Sequence, residues 1–232
     1  MKNMRIEDIE IQVIKKSIKN MYIAVYKADG RVRITAPKRM KDEDIRNFAV
    51  SKLGWIKKQR AKYKNLEIEP QKEYVSGESH YFQGRAYLLN VIYTDKKQRV
   101  EIHKHQMDLY IREGSTREQR KKVMNEWYRS QLKGEIPKLI EKWEQIMGVK
   151  VNSFGVKLMK TKWGTCNIAA KRIWINLELA KRSPRCLEYI VVHEMAHLLE
   201  RYHNKRFYTY MDQYLPDWKE IKEELKSGGS LA

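Results

Sequence analysis

Three segments between residues 6 and 36, IEIQVIKK, MYIAVYK and VRITA, alternate apolar with polar positions or run through β-branched residues. Each predicts a strand, and Asp29-Gly30 supplies a hairpin turn between the last two. The period then changes. Ile45, Phe48, Ala49, Leu53, Ile56 and Tyr63 recur at helical spacing with lysines and arginines between them, predicting one amphipathic helix over 43–64 with a basic face. Strand pattern returns over 73–112 in HYFQGRAYLLNVIYT, QRVEIHK and MDLYIRE, with Tyr81-Phe82-Gln83-Gly84 running straight into it. Ser115 or Thr116 opens a long helix reaching about Met147, which Pro137 is expected to kink or interrupt. Beyond Gly148, VKVNSFGVKLMK and KRIWINLEL read as strands joined by a turn that contains Trp163-Gly164-Thr165-Cys166-Asn167. Ser183-Pro184 is a strong start for a helix over 184–202, with Ser as N-cap and Pro at the first helical position. Asn204 caps a further helix through Tyr214. Pro216-Asp217 starts the last helix, ending near Lys226, and SGGSLA is expected to fray.

Strands giving way to helices near 113–117 predict an α+β chain: a strand-rich part over 1–114, a mainly helical part over 115–226 and a flexible tail over 227–232. Charge adds to this. Against 29 acidic residues stand 48 Lys and Arg, a net of +19. The excess divides almost evenly, +10 up to residue 116 and +9 after it, so it is no detachable basic tail. Such a field draws anions in a salt-dependent way, and the basic face of 43–64 leaves room for non-specific nucleic-acid contact, although a solvated helix face is the more ordinary reading. With 42% hydrophobic and 33% charged residues the composition is that of a soluble globular protein, which excludes collagen-like, disulfide-rich and wholly disordered chains. No run approaches the roughly 18 apolar residues that crossing a bilayer needs. MKNMRIEDIEIQVIKK carries charges where a signal peptide needs an apolar stretch, and two cysteines suit a reducing compartment. The expectation is a cytoplasmic protein without membrane association.

The strongest chemical signal is His193-Glu194-Met195-Ala196-His197. On a helix, positions 193 and 197 lie one turn apart on the same face, so both imidazoles can reach one metal ion. Glu194 lies near the same edge, placed to take a proton from metal-bound water. Zinc suits two imidazoles, a third protein ligand and an open position for water. Leu187, Ile190, Val191 and Leu198 make one side apolar, as expected of an active-site helix packed in a core. His203, ten residues after His193, is the favoured third ligand; Glu220, Glu223 and Glu224 of the terminal helix compete for that role. The ten-residue spacing matches the metzincin pattern, but that pattern wants Gly at position 200, where this chain has Glu200. His103 and His105 share a strand face with no third ligand in view. Cys166 and Cys186 read as small buried hydrophobes.

VVHEMAHLLERYHNKRFY followed by LPDWKEIKEEL resembles the signature of the YgjP-like metallopeptidases, relatives of the SprT and WLM families. KTKWGTCN matches the family's Trp-Gly-Ser-Cys segment, with Thr165 in the serine position. GRVRITAPKRM, LGWIKKQ, YFQGRAYLL and INLEL agree in order, so the resemblance runs from about residue 11 to 226. It implies a small zincin-like hydrolase domain over 115–226 that binds one zinc ion through His193, His197 and His203, with Glu194 as general base. By suggestion only, it gives the 163–166 turn an active-site role, in which Thr165 would offer a hydroxyl to substrate or ligand; a tight turn needing Gly164 explains the segment equally well. Asn176 and Trp174 share one face of the strand before the catalytic helix, a place where zincins often receive an extended substrate by edge pairing. Tyr202, beside the third ligand, is a candidate for oxyanion stabilisation. The function expected first is a zinc-dependent metallopeptidase acting on peptides. A nucleoside triphosphate pyrophosphohydrolase and a DNA-associated SprT-like protease stay open as alternatives, because nothing in the motif separates carbonyl from phosphoryl attack.

Overall fold

The structure is a computed structural model and describes residues 2–26, 29–64 and 72–227. The chain divides into two compact units, Met1–Gln71 and Lys72–Ala232.

In the first unit, β1 (Lys2–Ile6), β2 (Ile9–Lys16), β3 (Tyr22–Val25) and β4 (Val32–Pro37) form a sheet in the order β1-β2-β4-β3. The β2–β4 pair is parallel and the other pairs antiparallel. Gly30 takes a left-handed φ of +66° in the expected β3–β4 turn. Alternation places Ile9, Ile11, Val13, Val32, Ile34 and Ala36 in a core completed by Ile45, Ala49 and Ile56. These last come from two helices, α1 (Asp42–Ser51) and α2 (Leu53–Lys64), and not from the single helix expected over 43–64. Lys52 closes α1 with its N–H on the Ala49 and Val50 carbonyls, and the Ser51 hydroxyl donates to Phe48 O. Leu53 and Ile56 fall where an unbroken helix would put them, so apolar periodicity reads straight across the break.

The second unit begins with β5 (Ser79–Phe82), β6 (Arg85–Tyr93), β7 (Arg99–His103) and β8 (Gln106–Ile111), ordered β5-β6-β8-β7. HYFQGRAYLLNVIYT is thus a hairpin, turned at Gln83 (φ +49°) and Gly84 (φ +79°). That turn is anchored: Gln83 N–H donates to Ala180 O and Gly84 N–H to Lys181 O, and a Cβ on Gly84 would lie 3.3 Å from the backbone of Ser183. It braces the chain just ahead of the helix that starts at Pro184.

Helix α3 (Arg117–Met147) is opened by a Thr116–Gln119 capping box and closed by Gly148 at φ +65°. The helix runs on through Pro137, so of the two effects expected there the interruption does not occur. Pro137 and Lys133 are both exposed, so the carbonyl that loses its partner faces water. Met124, Tyr128, Leu132 and Ile136 of α3 share one core with Leu89, Met107, Leu109 and Ile111 of the sheet. The expected boundary at 114/115 is therefore corrected: the composition shift there marks a change of element type inside one core.

Next come β9 (Ser153–Lys157), β10 (Gly164–Asn167) and β11 (Arg172–Asn176), ordered β10-β11-β9, then a 3₁₀ helix (Leu177–Lys181) and helices α4 (Pro184–Ala196), α5 (Lys205–Tyr214) and α6 (Trp218–Ser227). Residues 164–167, expected in a turn, form a strand antiparallel to β11. Helix α4 stops at Ala196, short of the expected residue 202, because Leu198, Leu199 and Glu200 tighten onto Met195 and Ala196 carbonyls. Among the described residues no helix is long and apolar enough to cross a membrane. The expected fraying of SGGSLA falls mostly outside the described residues.

Candidate metal centre

Helix α4 packs in the core through Leu187, Ile190, Val191 and Met195, leaving His193 and His197 half-buried on one side. Because the helix ends at Ala196, the chain can double back, and Asn204 restarts it by accepting the Phe207 N–H at 3.0 Å. His203 immediately precedes that cap and faces α4. Donor nitrogens of His193, His197 and His203 all lie within 4.8 Å of one another, and the Nε2 atoms of His193 and His203 are 3.0 Å apart. Two nitrogens bound about 2.0–2.1 Å from a tetrahedral ion stand about 3.3 Å apart, so this donor set fits a small divalent cation.

Electrostatics agrees with that fit. Burial, reinforced by His197, His203 and Lys222, pushes His193 down to about 3, so its ring is neutral and its lone pair available. Burial also lowers His197, against the upward pull of its contact with Glu200 O. That contact, 3.2 Å from Nδ1, orients the ring and leaves Nε2 for the ion. Beneath the three rings sits Phe207, fully buried, with its centroid 5.0, 4.8 and 4.7 Å from those of His193, His197 and His203. This aromatic floor was not anticipated from the sequence, although its position four residues after His203 on a capped helix was the available signal.

Glu194 is 4% exposed. Burial pushes its carboxyl up to about 8, opposed by the charge of Lys162. A carboxylate poised in this way takes and returns protons near neutral pH. The side chain fits only because residue 164 is glycine: a Cβ there would lie 2.5 Å from Glu194 Oε1 and 2.7 Å from Cγ. Glycine inside a strand marks a close approach, which explains the segment better than a tight turn does.

The remaining sequence candidates separate. Thr165 lines the same cavity of about 1200 Å³ as the histidines and Glu194. Asn176 does not reach it. Fully buried, Asn176 accepts from the N–H groups of Met159 and Glu178 and donates to the carbonyls of Met159 and Lys162, so it latches the loop leading into β10. Strand β11, which carries Asn176 and Trp174, is central in its sheet, so its edge is unavailable for substrate; β10 and β9 are the edge strands, and of these it is β10 that lines the cavity. Asn176 N–H donates to Trp163 O, and by the alternation of an antiparallel ladder the backbone groups of Gly164 and Cys166 point away from β11. Tyr202 is 64% exposed, lies outside the cavity lining and has the Arg201 guanidinium 5.5 Å from its ring centroid, so its ring is not gathered with the histidines. Of the carboxylates that competed for the third ligand position, none joins the histidines in the donor cluster among the described residues. Cys166 lines the cavity without joining that cluster, and burial together with Glu194 pushes its thiol up to about 11.

Comparison with known proteins adds the family. The metallopeptidase zymogen of Pyrococcus abyssi abylysin is 20% identical over 40% of this chain and 93% of its own, with a TM-score of 0.38. That of Methanocaldococcus jannaschii jannalysin is 19% identical over 40% of this chain and 96% of its own, with a TM-score of 0.36. Likeness at that level carries no weight for fold or function. No curated protein matches. The model of the YgjP-like metallopeptidase domain, however, matches residues 19–228, a span that includes every residue of the metal centre. With nearly its whole length matched, the chain belongs to the YgjP-like metallopeptidase family.

Proposed function

We propose that the chain is a zinc-dependent peptidase in which His193, His197 and His203 hold the ion and Glu194 is the general base. The carrying observation is the convergence of three imidazole donors beside a buried carboxylate, in a cavity that the edge strand β10 also lines. Bound there, zinc supplies a Lewis acid that acidifies water and polarises the scissile carbonyl. Glu194 takes the proton of the attacking water on its carboxylate and returns it to the leaving amine. The outward N–H and C=O groups of Gly164 and Cys166 pair with an extended substrate backbone and hold the scissile bond over the site. Thr165, beside them in the cavity, is the candidate hydroxyl for a further substrate contact.

The test is metal analysis of the wild-type protein, Glu194→Gln and His203→Ala, with hydrolysis of casein in each. Near-stoichiometric zinc in wild type and Glu194→Gln, with cleavage only in wild type, is the expected pattern. Cleavage that survives Glu194→Gln removes the base. Lysines in the cavity wall favour one second reading, attack on a phosphoanhydride. Phosphate or pyrophosphate release from nucleoside triphosphates, with casein intact, would replace the peptidase reading.

A further inference from the structure

The cavity wall carries more positive charge than the chemistry needs. Lys162, Arg201, Lys222 and Lys226 line it against the carboxylates of Glu194 and Glu200. Two of these six are committed. Lys226 Nζ is 2.5 Å from Glu223 and Glu200 accepts the Tyr202 N–H, while Arg201 is exposed and lies over the ring of the equally exposed Tyr202. Among the described residues Lys162, Lys222 and Arg201 have no carboxylate within 4.0 Å, and of the three it is Lys162 and Lys222 whose charges are felt at Glu194 and His193. Lys222 is instead held 5.3 Å from the centroid of Trp218. That ring is itself fixed, buried, stacked between Tyr208 and Tyr189, with its Nε1–H donating to Asp212 at 2.8 Å. A cation–π contact positions an ammonium yet occupies none of its three N–H donors.

The two lysines flank the chemistry from different elements. Lys162 leads into β10 beside Glu194; Lys222 comes from α6 beside His193, and each charge is felt at its neighbour. Two unpaired ammonium groups next to a site for a divalent cation repel it. A ligand bringing negative charge relieves that repulsion, whereas a neutral one does not.

We propose that Lys162 and Lys222 are carboxylate-binding positions, so that this cavity selects peptides carrying a carboxylate close to the scissile bond. The inference rests on the peptidase reading. The carboxylate has two sources, an acidic side chain or the C-terminus of the peptide.

The experiment uses the full-length, zinc-loaded protein and three peptides of one backbone: acidic with an amidated C-terminus, neutral with a free C-terminus, and neutral with an amidated C-terminus. Wild type is expected to prefer one of the first two by about tenfold or more in kcat/KM, carried mainly in KM, and the preferred one names the source. Lys222→Met keeps the apolar stem over Trp218 and is expected to remove most of that preference, as is Lys162→Met. Lys222→Glu turns the preference toward a basic peptide. Equal cleavage of all three peptides, or a preference unchanged in both methionine variants, overturns the proposal. Binding of the same peptides to zinc-loaded Glu194→Gln, followed by calorimetry, separates the two readings. Lysine-dependent binding of carboxylate peptides that wild type never cleaves sustains this inference and defeats the peptidase. A nucleoside triphosphate that binds through these lysines while no carboxylate peptide does defeats this one.

Discussion

Gly164→Ala places one methyl group against the buried carboxylate of Glu194, the proposed general base. The added Cβ would meet Glu194 at 2.5 Å from Oε1, 2.7 Å from Cγ and 2.9 Å from Cδ, whereas ordinary contact begins near 3.4 Å. Oε1 must therefore retreat by about 0.9 Å, and the way open to it leads into the cavity that Glu194 lines, away from its place beside the histidines. The backbone is no obstacle, since Gly164 is absent from the residues with positive φ. At an unobstructed position the change would stabilise the fold by about 0.4–1 kcal/mol through the unfolded chain. Overpacking of a tight site costs about 1–3 kcal/mol, so the clash wins and the net effect is destabilising by about 1–2 kcal/mol. Its effect on rate is larger, because misplacing a reacting group by about 1 Å costs on the order of a hundredfold. The histidines are untouched, so zinc stays bound. The assay is the rate of metal-dependent hydrolysis beside metal content and thermal midpoint, in Gly164→Ala, Glu194→Asp and the double variant. In the double variant the shorter acid relieves the clash, so the stability losses fail to add. Wild-type rate and midpoint in Gly164→Ala would refute the reasoning, and so would strictly additive losses.

Three more expectations follow from the same geometry. His203→Ala loses the third donor, so zinc falls from near-stoichiometric to trace by elemental analysis while far-ultraviolet circular dichroism is unchanged. Asn176→Ala removes four hydrogen bonds from a fully buried amide and orphans the Met159 and Lys162 carbonyls, so the urea midpoint drops by the equivalent of about 2–4 kcal/mol. In the metal-free protein, Glu194 has a raised pKa and contributes stability that is complete below about 4.5 and lost as pH climbs towards about 8; His193 has a lowered pKa and contributes stability complete above 6.5 and lost as pH falls towards about 3. Those slopes oppose each other between the two ordinary values. From pH 6.5 to 8 only Glu194 acts, so metal-free protein loses stability at up to about 1.4 kcal/mol per pH unit, and Glu194→Gln flattens that decline in urea titrations.

Much of the site was legible because helix geometry is local. The 193/197 spacing, the Ser183-Pro184 start and the Asn204 cap each depend on a few consecutive residues, and the structure keeps all three, except that the Ser183 hydroxyl donates to Glu224 and caps no helix N–H. Readings that failed depended on what lies across the chain. Asn176 looked available to substrate because alternation gives a face but not the neighbours on it, and those neighbours are carbonyls 14 and 17 residues upstream. The 43–64 helix read as continuous because the residues beyond its break at Lys52 stay in register with the same core. Tyr202 looked catalytic from its place beside His203, yet the return of the chain turns it outward.

What the sequence determined by itself is the chemistry on offer: two imidazoles and a carboxylate on one helical turn, a third imidazole within reach, and a basic chain to surround them. Which carboxylate approach glycine 164 permits, which strand keeps a free edge, which amide latches a loop and which lysines stay unpaired were decided only by the tertiary structure. The physical reason is range. Helix faces, caps and turns are set by torsions and hydrogen bonds within about four residues, whereas desolvation, close packing and ion pairing depend on groups far apart in the chain that only folding brings together.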